Sequence, residues 1–433
     1  MDVVLNSGDT AWMLASTALV LLMTPGLAFF YGGMVRSKSV LNMMMMSMVT
    51  IGIVSILWVF YGYEIAFGHT SDSPWYGGFS LSGLGSQVNE FTNNGGTYPI
   101  PLLVFAAFQL MFAIITPALI SGAIADRAKF SAWAVFVAIW STVVYFPVAH
   151  WVFAFGHKVG DEVTGVGFLA GKGLEDFAGG TAVHINAGAA GLALAIVLGK
   201  RVGWRKEAMR PHSLPLVMLG AGLLWFGWFG FNAGSALAAN GIAGLALMNT
   251  QVATAGAVIG WILLEKIRHG HPTTLGVASG AVSGLVAITP ACAFVAPWAA
   301  VVIGFIAGAL CALAVDLKFK FGFDDSLDVV GVHLVGGIWG SLAVGFFGAS
   351  AVNSVGVDGL FYGGGSGLLV KQAMGVALVG AYSFIVTLII GYAIEKTIGF
   401  RITKDSEVEG IDLNEHAESA YEMSSSSRGG SLI

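Results

Sequence analysis

Long apolar runs, separated by short polar stretches, fill most of the chain. Eleven runs can be delimited, and each is long enough to cross the roughly 30 Å hydrocarbon core of a bilayer as an α-helix. They lie approximately at residues 10–34, 39–67, 100–124, 130–155, 178–199, 213–236, 250–267, 273–290, 297–317, 330–350 and 370–397. The runs are continuous, whereas the strands of a membrane barrel alternate apolar and polar residues over short segments. The pattern therefore predicts eleven transmembrane helices.

The composition agrees with a chain that lies mostly in a membrane. Charged residues make up 10% of it and apolar residues 56%, whereas a soluble domain carries about 25% charged residues. Glycine is frequent, with 61 residues among 433, and small residues allow membrane helices to approach closely. These values predict an all-α integral membrane protein with the lipid bilayer as its surroundings and no nucleic-acid partner.

Lysine and arginine are distributed unevenly between the loops. Thirteen fall in odd-numbered loops, and three (Lys158, Lys172 and Lys371) fall in even-numbered loops or at their border. Cytoplasmic loops carry the excess of positive charge in membrane proteins. We therefore expect the N-terminus to lie outside the cell (inner or plasma) membrane and the C-terminus to be cytoplasmic. The predicted organisation is a transmembrane domain at 1–397 and a cytoplasmic tail at 398–433.

Two similar motifs occupy the fifth and tenth predicted helices. Residues 176–191 read DFAGGTAVHINAGAAG, and residues 325–340 read DSLDVVGVHLVGGIWG. In both, a histidine follows an aspartate by eight positions and has glycines four and seven positions after it. Because the motifs are five helices apart, they cross the bilayer in opposite directions. The repetition predicts two inverted five-helix repeats, followed by one C-terminal helix.

His184 and His333 are the histidines of these motifs. An ionisable side chain within a membrane helix indicates a functional site. Glycines on the same helix face allow close contact, and inverted symmetry places both imidazoles near the midplane, where the rings can meet. We expect a neutral pair or one that shares a proton, because an isolated imidazolium is costly there. Such a pair suits a small neutral hydrogen-bonding molecule or a relayed proton; the alternative is a structural pair that joins two helices.

Asp176 and Asp325 stand at the start of the two motif helices. An aspartate at that position can accept hydrogen bonds from free N–H groups and stabilise the helix dipole. We expect this capping role for Asp325. Asp176 lies on the outer side, where a cation would enter, so two roles stay open for it: capping its helix, and drawing or stabilising the cation.

Aromatic residues and a hydroxyl group cluster at the outer end of the sixth helix, in the stretch WFGWFGFNAGSA at 225–236. Ser235 offers the hydroxyl, and Phe231 lies about one helical turn deeper. Phe112 in the third helix and Phe153 at the end of the fourth add aromatic faces. Together these groups can bind a small cation by cation–π attraction and a hydrogen bond. The alternative is the aromatic belt that membrane proteins place at the bilayer interface.

Several motifs together resemble the ammonium transporter family (Amt/Mep/Rh), and most of all its bacterial Amt branch. They read GLAFFYGGMVRSKSVLNMMMMS, DFAGGTAVHINAGAAGL, GWFGFNAGSA, SGLVAITPACAFV and DVVGVHLVGGIWG, and they follow one another in order along essentially the whole chain. The resemblance implies eleven helices, one pore per subunit and a homotrimer. It also implies ammonium or ammonia as the substrate, with methylammonium as an analogue. A transporter of this kind is not an enzyme and needs no cofactor or metal.

The resemblance assigns the candidate residues to successive parts of a pore. An outer site recruits ammonium, a pair of stacked aromatic rings forms a gate, and two histidines line the pore beyond it. Going inward, the groups are Ser235, Phe112, Phe153 and Asp176 at the site, Phe112 and Phe231 at the gate, and Trp228, His184 and His333 in the pore.

Two positions depart from the family pattern or lie outside it. Well-studied bacterial members have a tryptophan where this chain has Phe153, and phenylalanine is the poorer cation–π partner. Trp151 lies nearby and offers another aromatic face. Glu64, near the outer end of the second helix, is unusual there and has no role in this scheme.

The tail stretch EGIDLNEHAESAY at 409–421 resembles the cytoplasmic tail through which a PII-type (GlnK) protein regulates these transporters. The alternative is a solvated end that only adds solubility.

A mechanism follows from the cost of a bare ion in an apolar pore. We expect ammonium to bind outside, to lose its proton near the gate, and to cross as ammonia past the histidines, with the proton relayed separately. Three alternatives stay open: a passive ammonia gas channel of the Rh kind, an ammonium sensor with little transport, and an intramembrane hydrolase that uses Ser235 and His184. The charge moved per ammonium separates the first of these from the expected mechanism, and growth on low ammonium of a strain that lacks its own transporter separates the second.

Overall fold

Apolar helices form most of the structure, which is a computed structural model that describes residues 3–81 and 83–421. The helices appear at every position where the apolar runs predict one. In order, α1 to α11 are Ser7–Met34, Val40–Phe67, Leu102–Ile124, Phe130–Phe153, Gly180–Leu198, Leu214–Gly234, Gly241–His269, Thr274–Ile288, Pro297–Ala314, Val330–Phe347 and Gly367–Thr397. The end of the predicted tail, 422–433, lies outside the described residues.

Helix lengths agree with a multi-pass membrane protein, with one exception. Within the described residues, ten helices are long and apolar enough to cross a membrane. The exception is α8, Thr274–Ile288, which has only 15 residues and is therefore about 22 Å long. The predicted run at 273–290 was longer, because the apolar sequence continues through a non-helical turn after Ile288.

Two details of the predicted fold need correction. The seventh helix begins at Gly241 rather than at 250, because the side chain of Asn240 accepts hydrogen bonds from the N–H groups of Ile242 and Ala243 and so caps it. The chain is also not helical throughout. Two short antiparallel hairpins lie in the loops: β1 (Phe91–Asn93) pairs with β2 (Thr97–Pro101), and β3 (Phe155–Val159) pairs with β4 (Glu162–Val166).

Helix packing repeats with an offset of five helices. α1 packs against α6, and α5 packs against α10. Within the first five helices, α2 contacts α3 and α4, and α3 contacts α5; in the next five, α7 contacts α8 and α9, and α8 contacts α10. α11 lies outside this pattern and packs against α5 and α10. The helices with the two histidine motifs are thus a central pair.

The tail packs against the ends of the helices. Lys404–Glu409 and Ile411–His416 form short helices, and the carboxylate of Asp412 accepts hydrogen bonds from the N–H groups of Leu41 and Asn42 at the start of α2. We call this side of the molecule the tail face. We call the opposite side, which contains the hairpins and Ser235, the vestibule face.

Candidate functional site

The two motif histidines meet at the centre of the molecule. The Nδ1 atoms of His184 and His333 are 3.3 Å apart, and the ring planes are inclined by 19°. Both side chains are buried, and the Nε2 atom of His184 has no hydrogen-bond partner among the described residues. Only one proton fits between two Nδ1 atoms, so one ring donates and the other accepts. The Nε2 atom of His184 is thus a buried polar group that can exchange hydrogen bonds with a small molecule in the pore.

Glycines allow the two histidine helices to approach in a symmetric way. A Cβ atom at Gly188, four residues after His184, would overlap the backbone of Leu334. A Cβ atom at Gly337, four residues after His333, would lie 3.0 Å from Cγ1 of Ile185. In each contact, a glycine at position +4 of one motif faces position +1 of the other. The motif spacing thus sets the distance between the imidazoles.

Both histidines lie in widened, π-helical turns, which the apolar pattern did not indicate. These turns are Gly180–Ile185 in α5 and Val330–Leu334 in α10. A π-turn leaves backbone groups displaced from regular α-helical bonding and is often found at functional sites. Here each π-turn contains one of the two histidines in contact.

The two aspartates cap these helices. Asp176 accepts hydrogen bonds from the N–H groups of Gly179, Gly180 and Thr181, and from the hydroxyl of Thr181. Asp325 accepts hydrogen bonds from the N–H groups of Val329 and Val330. Capping is therefore present at both aspartates. Asp176 also lines the large cavity described below, but both of its carboxylate oxygens are engaged with its own helix.

A column of aromatic rings leads to the histidines. The rings of Phe112 and Phe231 are stacked, with centroids 4.1 Å apart and planes inclined by 28°. The ring of Phe231 lies 6.2 Å from that of His184, and Trp228 stacks on His184 at 5.4 Å. The indole N–H of Trp228 donates to the hydroxyl of Thr289, which fixes the orientation of the ring. The rings of Phe112, Phe231 and Trp228 thus form an apolar path that leads to the imidazoles.

A cavity of about 650 Å³ opens on the vestibule face above this column, and we call it the vestibule. Ser235, Phe153 and Asp176 lie in its wall. A smaller adjoining cavity of about 40 Å³ is lined by Phe112, Phe153 and Ser235 among others. The hydroxyl of Ser235 donates to the carbonyl of Phe231 at 2.8 Å, so its lone pairs stay free toward the cavities. The structure thus brings all four predicted recruitment residues to the walls of these two cavities.

Of the two aromatic residues Trp151 and Phe153, only Phe153 lines the vestibule. Phe153 lines both cavities. The indole of Trp151 packs against Trp75 and Tyr382, and its N–H donates to the carbonyl of Trp75. Trp151 therefore does not replace the aromatic face that a tryptophan at 153 would supply.

Sequence reasoning missed several residues of these cavities. Gln109 and Phe177 line the smaller cavity, and Glu175 and Lys371 line the vestibule. Burial raises the pKa of the Glu175 carboxyl to about 7, against the opposing effects of the Val357 N–H bond and of Lys371. A weak signal was available for Phe177 and Glu175, because both adjoin Asp176 in the motif. Gln109 carried a signal as well, as an amide within the apolar run of α3.

Known proteins match this chain over nearly its whole length. The sequence model described as the Ammonium Transporter Family matches residues 11–421. A protein of Mycobacterium tuberculosis named ammonium transporter is 58% identical, over 96% of this chain and 91% of its own. A protein of Bacillus subtilis with the same name is 47% identical, over 97% of this chain and 100% of its own. Among solved structures, Mep2 of Saccharomyces cerevisiae is 34% identical with a TM-score of 0.81, over 93% of this chain and 88% of its own. The structure titled "Sensor Amt Protein" is 28% identical with a TM-score of 0.84, over 94% and 98%.

Proposed function

The chain belongs to the ammonium transporter family, and we propose that it recruits ammonium on the vestibule face, deprotonates it and conducts ammonia to the tail face. The observation that carries this proposal is the contact between His184 and His333 at the end of a stacked aromatic column. An apolar passage with one polar pair suits a small neutral molecule that donates and accepts hydrogen bonds.

Recruitment takes place where the two cavities adjoin. Ammonium lies against the rings of Phe112 and Phe153 and donates a hydrogen bond to the hydroxyl of Ser235, whose own proton is directed to Phe231. Asp176 acts through the helix that it caps, because its oxygens already accept bonds from that helix. Its charge adds a favourable potential to the vestibule.

The proton leaves ammonium before the gate, because a bare cation between the stacked rings of Phe112 and Phe231 would lose its hydration without replacement. Ammonia then passes the gate and exchanges hydrogen bonds with the Nε2 atom of His184 and with His333. Trp228 closes one side of this path by stacking on His184.

Replacing both histidines tests the conducting path. In proteoliposomes, His184→Ala together with His333→Ala should abolish ammonium-driven uptake or allow potassium to pass. The matched control is His271→Ala, because His271 is exposed in a loop away from the pore. Uptake and selectivity equal to the unmodified protein would reduce the pair to a structural contact between two helices.

We propose that the released proton follows by a separate route, so that transport moves charge. Current in a planar membrane on an ammonium gradient tests this step. About one charge per ammonium supports the relay. Rapid alkalinisation without current instead supports a passive ammonia channel, the alternative within the family.

The proposed topology has eleven transmembrane helices: α1–α5 and α6–α10 are two inverted repeats, and α11 follows them. The vestibule face lies outside the cell membrane. The repeated packing of α1–α5 and α6–α10 supports this, as does the positive charge of the odd-numbered loops. Both natural cysteines are buried, so introduced thiols can be labelled selectively. A membrane-impermeant maleimide should label Glu162→Cys in intact cells, and Glu409→Cys only after lysis. The reverse pattern would invert the orientation.

We further propose a homotrimer with a PII-type (GlnK) regulator bound at the tail face, both from the family resemblance. Native mass spectrometry tests the trimer. For the regulator, purified PII protein should bind the full chain and lose affinity when residues 398–433 are deleted. A sensor role is the second candidate, because a solved structure similar to this chain carries that title. Growth on low ammonium of a strain that lacks its own transporter separates transport from sensing.

A further inference from the structure

A second cavity on the vestibule face shares no lining residue with the vestibule. Its volume is about 420 Å³, and it lies between the end of α2, the loop before β1, and the strand β3. Every side chain that lines it is polar: Glu64, His69, Thr70, Ser80, Ser86, Gln87, Glu90 and His157. Glu64, the residue for which the pore mechanism has no use, is one of them.

Hydrogen-bond acceptors in this cavity lack partners. Glu64 is only 6% exposed, and its carboxylate forms no hydrogen bond or ion pair with any described residue. Gln87 is 9% exposed, and its Oε1 atom is buried without a partner among the residues that the structure describes. An amide oxygen that is buried without a donor is costly. The carboxylate of Glu64 is open toward the cavity, where it can accept hydrogen bonds from a bound donor.

Local backbone geometry holds Glu64 in this position. The carboxylate folds back over Gly68, where a Cβ atom would lie 2.5 Å from Oε2 of Glu64. A larger residue at 68 would therefore displace the carboxylate. Glu90 contributes a second carboxylate from the exposed side of the cavity.

The charge of the cavity is negative. The segment 68–99 contains no lysine or arginine. His69 and His157 stack with their centroids 4.1 Å apart and their planes inclined by 13°. Burial and the neighbouring His69 lower the pKa of His157, against the effect of Glu90, which disfavours a positive charge on this ring. Glu64 and Glu90 are the two acidic side chains in the cavity wall.

We propose that Glu64, Glu90 and Gln87 form a second cation site, which takes ammonium or a small alkylammonium ion. Ammonium has four N–H donors and matches a set of carboxylate, amide and hydroxyl acceptors. Among the described residues, no three His, Cys, Asp or Glu side chains are grouped to hold a metal ion, and sodium is the competing cation in the test below. Naming ammonium rests on the proposed function; the site itself rests on the unpaired acceptors.

This site holds the ion at the entrance but does not conduct it. Between this cavity and the smaller cavity beside Phe112 lies a third one of only about 10 Å³, with Asn94 and His157 in its wall. That volume admits about one water molecule. An ion bound near Glu64 therefore returns to the surface before it reaches Ser235. The site acts by raising the concentration of the ion on the vestibule face.

Ammonium-dependent thermal stability of the full-length protein tests the site. In a Ser235→Ala background, replacing NaCl by NH4Cl at constant ionic strength should raise Tm in a saturable way. Glu64→Gln with Glu90→Gln should remove most of this increment, whereas Glu162→Gln, on the exposed hairpin, should keep it. The quantity compared between variants is the rise in Tm on replacing NaCl by NH4Cl, so a variant that changes the Tm in NaCl does not disturb the comparison. If the double variant fails to fold, Glu90→Gln alone, at an exposed position, should lose at least half of it.

An increment that is equal in the double variant and in the control, or that sodium matches, overturns the proposal. An ammonium uptake assay distinguishes failure of the second-site proposal from failure of the proposed transport function. With Ser235 unmodified, Glu64→Gln with Glu90→Gln should raise the ammonium concentration for half-maximal uptake about threefold or more at low ionic strength. If the unmodified protein transports and these variants match Glu162→Gln in both assays, the second site alone fails. If the unmodified protein does not transport ammonium, the proposed function fails whatever the Tm increments are.

Discussion

At the scale of single residues, we expect Phe153 to set the strength of the proposed outer aromatic site. Its ring lines both cavities, whereas Trp151 faces Trp75 and Tyr382. A cation–π contact at an exposed site is worth about 0.5–1 kcal/mol, and tryptophan is the best partner for it. Phe153→Trp should therefore lower the methylammonium concentration for half-maximal uptake, by at most about fivefold, as measured with the labelled ion.

Trp151→Phe provides the matched control for this prediction, because it changes an aromatic residue two positions away without changing the cavity wall. Its half-maximal concentration should equal that of the unmodified protein. Equal effects of both substitutions, or none from Phe153→Trp, would mean that the ring at 153 does not contact the ion.

Glu175 gives the vestibule a dependence on pH near neutrality. One carboxylate oxygen accepts the N–H bond of Val357, and the other is buried without a partner among the described residues. Burial raises its pKa from 4.5 to about 7. Between pH 4.5 and about 7, Glu175 is therefore protonated in the folded protein and ionised in the unfolded chain. Its contribution to the stability of the fold is fully present below about pH 4.5 and is lost as the pH rises to about 7.

Glu175→Gln keeps the acceptor for Val357 and removes the titration. Relative to the unmodified protein, the variant should gain stability as pH rises from 5 to 8, by at most about 1.4 kcal/mol per pH unit. Tm in detergent across that range measures it. A Tm difference that does not change with pH would show that Glu175 does not titrate there.

Sequence patterns predicted the residues that recur and missed those that do not. The spacing around His184 and His333 was visible because it occurs twice, and the structure places the two rings in contact. Glu175, Gln109 and Glu64 occur once each, and as polar residues beside a motif or within apolar runs they gave only a weak signal. The cavities that they line are formed by segments distant in sequence, so no local pattern could indicate those cavities.

At the scale of secondary-structure elements, the approach of α5 and α10 depends on glycine. A Cβ atom at Gly188 would overlap the backbone of Leu334, which cannot move as a flexible side chain does. Gly188→Ala should separate the helices, destabilise the protein by about 1–3 kcal/mol and reduce uptake more than the loss of stability explains. Thermal unfolding in detergent and uptake at a permissive temperature measure the two effects.

Gly222→Ala in α6 is the corresponding control, since a Cβ atom at Gly222 meets nothing within 4 Å. It should leave uptake unchanged and alter stability little, because alanine favours helix over glycine. Similar losses in both variants would assign the effect to helix flexibility rather than to the contact between the motifs.

The sequence predicted that each helix exists, but it did not predict the local geometry within the helices. Apolar length indicated all eleven helices. The π-turns at both histidines add a residue to a turn without changing the apolar pattern, so nothing in the sequence pointed to them. For α8 the apolar pattern predicted too long a helix, because apolar residues continue beyond its end into a turn that is buried inside the protein.

At the scale of the whole molecule, the acidic tail completes helices far from it in sequence. α2 begins after Ser39 and α4 after Lys129, and neither of these residues caps its helix with a side chain. Asp412 supplies the acceptor for the N–H groups of Leu41 and Asn42, and Glu415 supplies one for Phe130. Composition alone could not separate this role from a solvated tail, since both require the same acidic residues.

Asp412→Ala should therefore loosen both the tail and the start of α2. A lost cap costs about 0.5–2 kcal/mol, and here one carboxylate serves two N–H groups. Hydrogen exchange measured by mass spectrometry should become faster at residues 40–43 and in the helix Ile411–His416 together. Glu418→Gln is the control, because the Glu418 side chain is exposed and exchange should stay as in the unmodified protein. Faster exchange in the tail alone would show that α2 keeps its start without Asp412, and the tail would then be an attachment rather than a part of the helix.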